Sequence, residues 1–425
     1  MAGGRGTRIS SLAKDIPKPM LEIAGKPVLE HEIECLKNQG YKEIILTIGY
    51  LGDVIENYFG DGSKVSPVTG KSFGVLIEYY RETTPLGNAG ALYKLIDKLS
   101  DDFFLLNGDV IFDIDFKRME KYHLKHGKDA TVLTHPNSHP YDSGIIITDN
   151  GKNIVEKWLS KEDEKPLYYK NRVNAGVHIL KKSILQRRIE KERIDLDKDI
   201  LKPLVGSGRL VAYDSTEYIK DMGTPDRFAS VCADFEEGIA RARNLAYKQK
   251  AIFLDRDGTI NKYVGFLNNI DEFELLPGVC EAIKLINKSG YLAIVITNQP
   301  VIARGELTFS ELHLIHNKME TLLGNNGAYI DGIYFCPHHP DYGYDGEIKE
   351  LKIKCNCRKP NPGMIYEAEN DFNLNLQECW MVGDSQNDII AGKCAGTKTA
   401  LIGNDNFDQD ISGLSLIDVI SSILK

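Results

Sequence analysis

Two aspartates, Asp255 and Asp257, stand directly after the apolar run Ile252–Leu254, and Gly258 begins a turn behind them. A buried strand that ends in a carboxylate can present it to an electrophile as a nucleophile. A second carboxylate two residues later can donate a proton to the reacting group and take one back. The pair therefore indicates nucleophilic catalysis with acid–base assistance.

Three later positions could complete such a site. Thr297 ends the apolar run Leu292–Ile296 with a hydroxyl, Lys359 precedes a proline, and Asp384 follows the run Trp380–Val382 and a glycine. A hydroxyl donor and a cation suit a phosphate group, and a carboxylate suits Mg²⁺. Active sites in α/β proteins lie at the carboxyl ends of parallel strands, where these residues would stand.

These motifs, in this order, resemble the haloacid dehalogenase superfamily over residues 250–425. The resemblance implies that Asp255 attacks phosphorus and forms an aspartyl-phosphate. Asp257 would protonate the leaving oxygen and then activate water, Thr297 would donate to a phosphate oxygen, and Lys359 would supply positive charge. No large cap insertion is evident in the sequence, which favours an open site.

The same resemblance implies a magnesium site. The ion would be bound by the carboxylates of Asp255 and Asp384 and by the backbone carbonyl of Asp257. It would shield the repulsion between the anionic nucleophile and the anionic phosphate. Asp388 is expected to orient the site rather than to bind the ion.

A cluster of cysteine and histidine lies between these motifs. The segments Cys336-Pro337-His338-His339 and Cys355-Asn356-Cys357 together offer Cys336, His338, Cys355 and Cys357. Three cysteines and one histidine are a common ligand set for structural Zn²⁺. The alternative is a set of ordinary thiols, and His339 is a weaker candidate than His338.

A zinc loop directly before Arg358-Lys359-Pro360 resembles a narrower subgroup, the heptose 1,7-bisphosphate and histidinol-phosphate phosphatases. The segment 297–305 looks like the heptose type, although Pro300-Val301 stands where Ser-Gly is usual. The resemblance implies that Asn298, Arg304 and Arg358 bind substrate.

The first half of the chain opens with a glycine-rich segment. Its residues are Gly3, Gly4, Arg5, Gly6, Thr7 and Arg8, and Lys18 follows between two prolines. Backbone N–H groups of such a loop can surround phosphate oxygens, and glycine allows the close approach. The segment matches neither the dinucleotide fingerprint nor the P-loop.

Further motifs follow at wide spacing, namely Pro85–Gly90, Leu106–Asp109, Glu156-Lys157, Asn174–Gly176 and Ile219–Pro225. Together they resemble the sugar-phosphate nucleotidyltransferases over about residues 1–230. Within that family, the heptose 1-phosphate guanylyltransferase branch looks most similar, with mannose- and glucose-1-phosphate enzymes close behind.

The resemblance implies a role for each of these residues. The triphosphate would be bound by Gly3, Gly4, Gly6, Thr7, Arg8 and Lys18, and Mg²⁺ by Asp109 and Asp221. Glu156, Lys157 and Asn174 would lie on the sugar-phosphate side, while Gly87 and Gly90 would let a loop approach the base. No covalent intermediate is needed, because the sugar-phosphate oxygen attacks the α-phosphorus directly and positioned cations stabilise the charge.

In this family a buried strand normally precedes the glycine-rich loop, whereas this sequence begins at Met1 inside the motif. We therefore expect the sequence to lack the natural first strand of the domain, unless another segment replaces it. Five or six buried apolar residues, at ~1.5–3 kcal/mol each, approach the net stability of a whole domain.

Strand-like apolar runs alternate with helical patterns throughout, which predicts two α/β domains. The predicted strands are Glu43–Ile48, Val75–Tyr80, Phe103–Asn107, Thr131–Thr134, Val173–Leu180, Ile252–Asp255, Leu292–Thr297, Ile333–Phe335, Trp380–Val382 and Thr399–Ile402. The predicted helices are Val28–Gln39, Ala89–Lys98, Val279–Lys288, Phe309–Leu323 and Gly363–Phe372.

The first domain is expected to have a mixed, mostly parallel sheet and the second a Rossmann-like sheet with a minimal cap. We place the nucleotidyltransferase domain, without its first strand, at residues 1–232. A helical linker at 233–249 and the phosphatase domain with its zinc loop at 250–425 follow. The linker belongs to a stretch, 226–249, that reads as one polar helix.

The 425 residues are 42% hydrophobic and 27% charged, which is ordinary globular composition. A net charge of −9 disfavours nucleic-acid binding, no apolar run reaches the ~18 residues of a membrane span, and no signal peptide is evident. The eight cysteines are then expected to be reduced thiols or metal ligands. We expect a cytoplasmic enzyme whose partners are small-molecule sugar phosphates and an NTP.

The favoured interpretation is a bifunctional enzyme of nucleotide-heptose synthesis. Its second half would remove the 7-phosphate of a heptose 1,7-bisphosphate, and its first half would join the heptose 1-phosphate to GMP from GTP. One alternative keeps both activities but uses mannose or glucose 1-phosphate with a histidinol-phosphate-like phosphatase. Another makes the first half a non-catalytic nucleotide-sugar sensor attached to a phosphatase.

Overall fold

The computed structural model describes residues 16–108, 110–149, 151–186 and 190–425. These residues divide into two compact units. Unit 1 comprises the described residues up to His135, then Ile146–Trp158 and Asn174–Asn244. Unit 2 comprises Pro136–Ile145, Leu159–Val173 and Leu245–Lys425.

The strands before residue 245 build a mixed arrangement. They are β1 (Glu22–Ile23), β2 (Lys26–Pro27), β3 (Glu43–Ile48), β4 (Leu76–Arg81), β5 (Asp102–Leu106), β6 (Val110–Asp113), β7 (Ala130–His135), β8 (Ile145–Thr148), β9 (Val155–Leu159), β10 (Val173–Lys181), β11 (Leu210–Asp214) and β12 (Tyr218–Asp221). The main sheet has the order β11-β7-β10-β8-β9, with β5 also on β10. Parallel pairs (β11–β7, β3–β4) occur beside antiparallel ones (β10–β5, β10–β8, β12–β6).

Helices α1 (Val28–Asn38), α2 (Gly52–Phe59), α3 (Gly90–Lys94) and α4 (Phe116–His126) lie between these strands. α4 begins where the Asp115 carboxylate accepts two backbone N–H groups, and it ends at the left-handed Gly127. The stretch 226–249 differs from the single helix expected. It forms α5 (Pro225–Glu236) and α6 (Ile239–Ala242), separated by Gly238 at φ +75°, because that backbone cannot continue a helix.

The Rossmann-like sheet of unit 2 is parallel throughout. Its strands are β13 (Lys250–Leu254), β14 (Tyr291–Asn298), β15 (Gly332–Cys336), β16 (Trp380–Gly383), β17 (Lys398–Ile402) and β18 (Ile411–Gly413), in the order β15-β14-β13-β16-β17-β18. Its helices are α7 (Val279–Asn287), α8 (Phe309–Asn325), α9 (Gly363–Phe372), α10 (Gln386–Ala395) and α11 (Leu416–Ile423). Residues Ala251–Leu254 of the central β13 are fully buried, as expected for a sheet covered on both faces.

Unit 2 also contains a segment from far earlier in the chain, residues 159–173, which we call the arm. The hydroxyl of Thr321 on α8 accepts from the Tyr169 N–H (2.9 Å) and donates to the Tyr169 carbonyl (3.1 Å). One oxygen of the buried Glu320 accepts from the Asn171 N–H (2.8 Å) and from the Arg172 guanidinium (3.3 Å). α8 is therefore fixed by backbone and charge contacts on the face that carries these two residues.

The predicted elements agree well with those observed. The strand Glu43–Ile48 and the helix Gly363–Phe372 match residue for residue. Apart from the stretch 226–249 and one further helix, the other predicted strands and helices lie within two residues of their observed bounds. The predicted helix Ala89–Lys98 is the short α3 followed by a separate 3₁₀ turn at Ile96–Lys98. Among the described residues, no helix is both long and apolar enough to cross a bilayer.

A buried histidine in β10 makes unit 1 sensitive to acid. His178 is fully buried, and burial lowers its pKa to about 4, below the ordinary 6.5. Since the unfolded chain binds this proton more readily, stability is lost as the pH falls from about 6.5 towards 4, by about 2 kcal/mol at pH 5. We expect His178→Leu to reduce the difference in unfolding free energy between pH 7.5 and pH 5 by about that amount.

The measurement is urea unfolding followed by the fluorescence of Trp158 in a Trp380→Phe background, since these are the two tryptophans. An equal loss of stability between the two pH values in both proteins would show that His178 is not the acid-sensitive group.

Candidate active sites

The carboxylate of Asp255 stands at the carboxyl end of the central strand. Its backbone N–H donates to the Val382 carbonyl (2.9 Å), which continues the β13–β16 pairing beyond Leu254. The Asp255 side chain is 13% exposed, and its Oδ1 lies 2.8 Å from the Lys359 Nζ. Burial raises the pKa of Asp255, and the positive charge of Lys359 opposes that shift. The lysine therefore favours the anionic form, which is the nucleophilic one.

Lys359 is held from three sides. Its Nζ donates to Asp388 Oδ1 (2.6 Å) and to the Ile296 carbonyl (2.9 Å) in addition to its contact with Asp255. Burial lowers the pKa of Lys359, but the two carboxylates outweigh burial, and the pKa is raised. A charged amine thus stays fixed beside the nucleophile.

Three carboxylates offer oxygen atoms that lie within 4.8 Å of one another, those of Asp255, Asp384 and Asp388. Asp388 is already occupied, because it accepts from the Ser385 N–H (3.0 Å), the Ser385 hydroxyl (2.6 Å) and Lys359. Burial, reinforced by Asp388, raises the pKa of Asp384 to about 6. Raised pKa values on adjacent acids are what an added cation would reverse, so Asp255 and Asp384 fit a divalent ion with oxygen ligands.

Gly258 allows Asp384 to reach this place. A Cβ at residue 258 would lie 2.0 Å from the Asp384 Oδ2, and the backbone there has φ +83°. The glycine of the turn after the two aspartates is therefore required both for its conformation and for the carboxylate packed against it.

Asp257 lies in a set of side-chain donors that the sequence analysis did not single out. Its oxygens accept from Asn261 Nδ2 (3.0 Å), from Gln299 Nε2 (2.8 Å) and from the Arg256 guanidinium (2.9 Å). The same Gln299 amide donates to the hydroxyl of Thr297 (2.8 Å), which is buried. Gln299 directly follows the end of β14, and this position in the sequence could have identified it as a candidate site residue.

Asn298 orients the loop that carries Lys359. Its side-chain amide donates to the Lys359 carbonyl (3.0 Å), and its oxygen accepts the Lys359 N–H (3.0 Å). Arg358 donates to the His338 carbonyl (3.2 Å). Arg304 lies between two rings, 3.8 Å from the centroid of Phe266 and 4.3 Å from that of Tyr344.

The four predicted zinc ligands converge. The Sγ atoms of Cys336, Cys355 and Cys357 lie 3.2–3.5 Å apart, and His338 Nδ1 lies 3.3 Å from the Cys357 Sγ and 3.5 Å from the Cys336 Sγ. A tetrahedron with Zn–S bonds of about 2.3 Å has edges of ~3.7 Å, so the four atoms are spaced closely enough to share one ion. The set fits a closed Zn²⁺ site.

In unit 1, Lys18 and Asp221 come together. Lys18 Nζ lies 3.7 Å from the Asp221 Oδ1, and the Lys18 side chain is only 9% exposed. The Asp221 Oδ1 is buried and accepts no hydrogen bond from the described residues, while Arg227 pairs with the Oδ2. Asp221 is also opposite Val110 in the β12–β6 pair. A buried carboxylate oxygen of this kind fits a ligand for Mg²⁺.

The loop at Gly87 and Gly90 packs against a later segment. A Cβ at Gly87, where φ is +83°, would lie 2.3 Å from the Ile194 carbonyl oxygen, and one at Gly90 would lie 2.8 Å from the Leu86 Cβ. The Ala89 N–H donates to the Ile194 carbonyl, and the Asn88 side chain accepts from the Leu196 N–H. Close packing therefore leaves no room for a side chain at either glycine.

Glu156 and Lys157 are exposed on β9, and Asn174 is on β10. β8 separates the two strands, which places them ~10 Å apart. The Asn174 side chain accepts the Gly176 N–H (3.1 Å). The remaining predicted residues lie outside the described residues, namely Gly3, Gly4, Gly6, Thr7, Arg8 and Asp109.

Comparison with known proteins gives two matches in series. The nucleotidyl transferase family model matches residues 1–238, and that of the haloacid dehalogenase-like hydrolases matches residues 177–396. Each match covers more than half of the chain. The chain belongs to both families. The resemblance of each half, and the two α/β domains that it implied, are thereby confirmed.

Individual relatives divide in the same way. A probable mannose-1-phosphate guanylyltransferase of Oryza sativa subsp. japonica is 33% identical over 230 residues, 53% of this chain and 60% of the relative. The D-glycero-beta-D-manno-heptose-1,7-bisphosphate 7-phosphatase of Salmonella typhi is 40% identical over 158 residues, 37% of this chain and 82% of the relative. The D-glycero-alpha-D-manno-heptose-1,7-bisphosphate 7-phosphatase of Burkholderia mallei is 43% identical over 155 residues, which are 36% of this chain and 80% of the relative. The chain spans about 60% of the length of the guanylyltransferases that it matches.

Proposed function

We propose that this protein is a bifunctional enzyme of nucleotide-heptose synthesis. Its unit 2 would hydrolyse the 7-phosphate of a heptose 1,7-bisphosphate, and its unit 1 would transfer GMP from GTP to the heptose 1-phosphate. The observation that carries the proposal is the joint presence of the Asp255–Lys359 pair and the three-cysteine, one-histidine cluster. The proposal is supported by heptose-bisphosphate 7-phosphatases that are 40–43% identical to this chain over 155–158 residues.

The geometry supports hydrolysis in two steps. An Asp255 oxygen attacks phosphorus, the bond from phosphorus to the C7 oxygen breaks, and Asp257 gives its proton to the departing oxygen. Asp257 then takes a proton from water as the water oxygen attacks the aspartyl-phosphate, which releases phosphate and restores Asp255. Thr297 would donate to a phosphate oxygen, and Lys359 would balance its charge.

Magnesium fits the carboxylates of Asp255 and Asp384, with the backbone carbonyl of Asp257 as a third ligand. When bound, the ion would reduce the repulsion between two anions and polarise the phosphate. Asp388 would keep Lys359 charged and placed, consistent with its hydrogen bonds.

The second phosphate of the substrate would meet Arg304 and Arg358. Both guanidiniums are held before substrate arrives, Arg304 by its two rings and by Glu306, and Arg358 by the His338 carbonyl. A held guanidinium binds phosphate with two parallel hydrogen bonds at a small entropic cost. A substrate with two phosphates is therefore favoured over one with a single phosphate.

We propose that Cys336, His338, Cys355 and Cys357 hold a structural Zn²⁺ that fixes the loop before Arg358 and Lys359. Thiolates bind zinc far more tightly than carboxylates bind magnesium. We therefore expect a mild chelator to stop hydrolysis reversibly, with added Mg²⁺ restoring it, while elemental analysis still finds one zinc for each chain.

Cys355→Ser is expected to lose the zinc, whereas Cys394→Ser, a change at an exposed cysteine outside the cluster, should keep it. Freshly purified, active protein without zinc would remove this assignment.

In unit 1, we propose that Lys18 and Arg8 bind the triphosphate and that Asp109 and Asp221 bind Mg²⁺. Gly3, Gly4, Gly6 and Thr7 would surround phosphate oxygens, and Glu156, Lys157 and Asn174 would contact the sugar phosphate. Support comes from the Lys18–Asp221 contact and from the buried Asp221 oxygen with no hydrogen bond. Gly87 and Gly90 would shape the loop beside the base.

A second candidate keeps both reactions but uses mannose 1-phosphate in unit 1. It is favoured by the 33% identity to mannose-1-phosphate guanylyltransferases. The test incubates the whole protein with either heptose 1,7-bisphosphate or mannose 1-phosphate and each NTP in turn. GDP-heptose from GTP supports the proposal, and GDP-mannose alone supports the second candidate. No nucleotide sugar with any pair would leave unit 1 a non-catalytic sensor.

A further inference from the structure

Arg256, between the two aspartates of the phosphatase motif, is fully buried and is the largest fully buried side chain of the described residues. Its Nη2 lies 2.9 Å from both oxygens of Asp257, and its Nε lies 3.3 Å from the Oδ1. A guanidinium removed from water is destabilising unless an anion and full hydrogen bonding compensate it. The carboxyl oxygens of Asp257 are the acceptors nearest to the guanidinium here.

Two further side chains contact the guanidinium of Arg256. Its Nη2 donates to the Gln299 Oε1 (3.1 Å), and its Nη1 lies 3.3 Å from His316 Nε2 on α8. Burial lowers the pKa of His316 well below the ordinary value, with the charge of Arg256 adding to the effect, so the ring is neutral and its Nε2 accepts. The guanidinium is thus fixed on the side away from Asp257.

Asp257 receives two further hydrogen bonds, from Gln299 and Asn261, on loops that follow β14 and β13. Of the three side chains that donate to Asp257, Arg256 is the charged one, and its guanidinium contacts both carboxyl oxygens. A carboxylate that must give a proton and later take one has to keep its place through both steps, because proton transfer needs heavy-atom distances of about 2.6–3.2 Å.

We propose that Arg256 is the positioning residue for Asp257, which it holds at the leaving oxygen in the first step and at the attacking water in the second. His316 supports it by fixing the far side of the guanidinium. The inference rests on the proposed phosphatase activity.

A matched pair of substrates separates this role from a general structural one. A sugar alkoxide needs a proton as the phosphorus–oxygen bond breaks, whereas p-nitrophenolate leaves as the anion. Misplacing Asp257 should therefore slow phosphoenzyme formation from a primary alkyl phosphate but not from p-nitrophenyl phosphate. Hydrolysis of the phosphoenzyme should slow with both, because water must lose a proton in either case.

The experiment is stopped-flow and steady-state kinetics of the full-length Arg256→Lys variant. Lysine keeps the positive charge but lacks the planar guanidinium that contacts both oxygens of Asp257. We expect a p-nitrophenolate burst of one equivalent at a rate within about threefold of the wild-type first turnover. The steady-state rates with both substrates should fall at least 30-fold. KM for p-nitrophenyl phosphate should fall as well, because the phosphoenzyme accumulates when only its hydrolysis is slowed. A burst that slows as much as the alkyl reaction would overturn the proposal, and so would unchanged rates with both.

His316→Leu provides a second route if Arg256→Lys does not fold, and His313→Leu, one turn earlier on the same helix, is its control. We expect His316→Leu to lower the steady-state rate and the rate with the alkyl phosphate about five- to tenfold, with the burst rate unchanged. His313→Leu should change none of these rates. Equal effects of the two changes would contradict the proposal. Failure of the proposed function would look different, since the wild-type protein would then hydrolyse neither phosphate ester.

Discussion

The Asp255→Asn variant is expected to lose hydrolysis of heptose 1,7-bisphosphate by on the order of 10⁴-fold or more while it keeps nucleotide transfer. The asparagine keeps the shape of the side chain and removes the charge that attacks phosphorus. It also removes one of the anions that hold Lys359. Phosphate release, measured with heptose 1,7-bisphosphate, and pyrophosphate release, measured with GTP and heptose 1-phosphate, report on the two reactions separately.

Asp271→Asn serves as the control, because Asp271 is an exposed aspartate of the same unit. It should leave both rates unchanged. Substantial residual hydrolysis in Asp255→Asn would show that another group is the nucleophile. Loss of both reactions in a variant that is folded would contradict the assignment of the two activities to separate sites.

The Asp221→Ala variant should show the opposite pattern, a loss of transfer by about 10³-fold with hydrolysis intact. The change removes the buried oxygen that we assign to Mg²⁺ and leaves Lys18 and Arg227 without their shared anion. The site would then keep two cations, Lys18 and Arg227, while the Mg²⁺ that we assign to it would lose a carboxylate ligand. Pyrophosphate release at saturating GTP is the measurement.

Asp226→Ala is the matched control, since Asp226 is exposed in the first turn of α5, five residues further along the chain. Transfer at the wild-type rate in Asp221→Ala would exclude this carboxylate from the reaction. Partial recovery at high Mg²⁺ would support its role as a ligand.

Three residues of the proposed phosphatase site could be predicted from the sequence because they stand at the carboxyl ends of buried strands. Asp255, Thr297 and Asp384 stand at the ends of β13, β14 and β16, which are neighbours in one parallel sheet. Periodicity fixes the strands, and a parallel sheet brings their carboxyl ends to one edge. The cluster of three cysteines and one histidine could be predicted as a candidate metal site from residue type alone, and the structure brings its four side chains together.

The contacts that depend on tertiary packing could not be predicted. Nothing local in the sequence shows that Gly87 faces the Ile194 carbonyl or that Arg256 turns back onto its neighbour Asp257. The same is true of Gly238, where a pattern that suggested one continuous helix is interrupted by a left-handed residue. A hydrophobic pattern specifies which face is buried, and it leaves open which partner covers that face.

The arm makes unit 2 discontinuous along the chain. Tyr169 is synthesised 152 residues before its partner Thr321. The contacts between the arm and α8 can therefore form only after this intervening part of the chain has been synthesised. A phosphatase expressed from residue 245 onward would lack the arm, so α8 would lose the hydrogen bonds that Tyr169, Asn171 and Arg172 make to it. A cut at residue 245 would therefore divide unit 2 itself, because part of that unit is encoded before the cut.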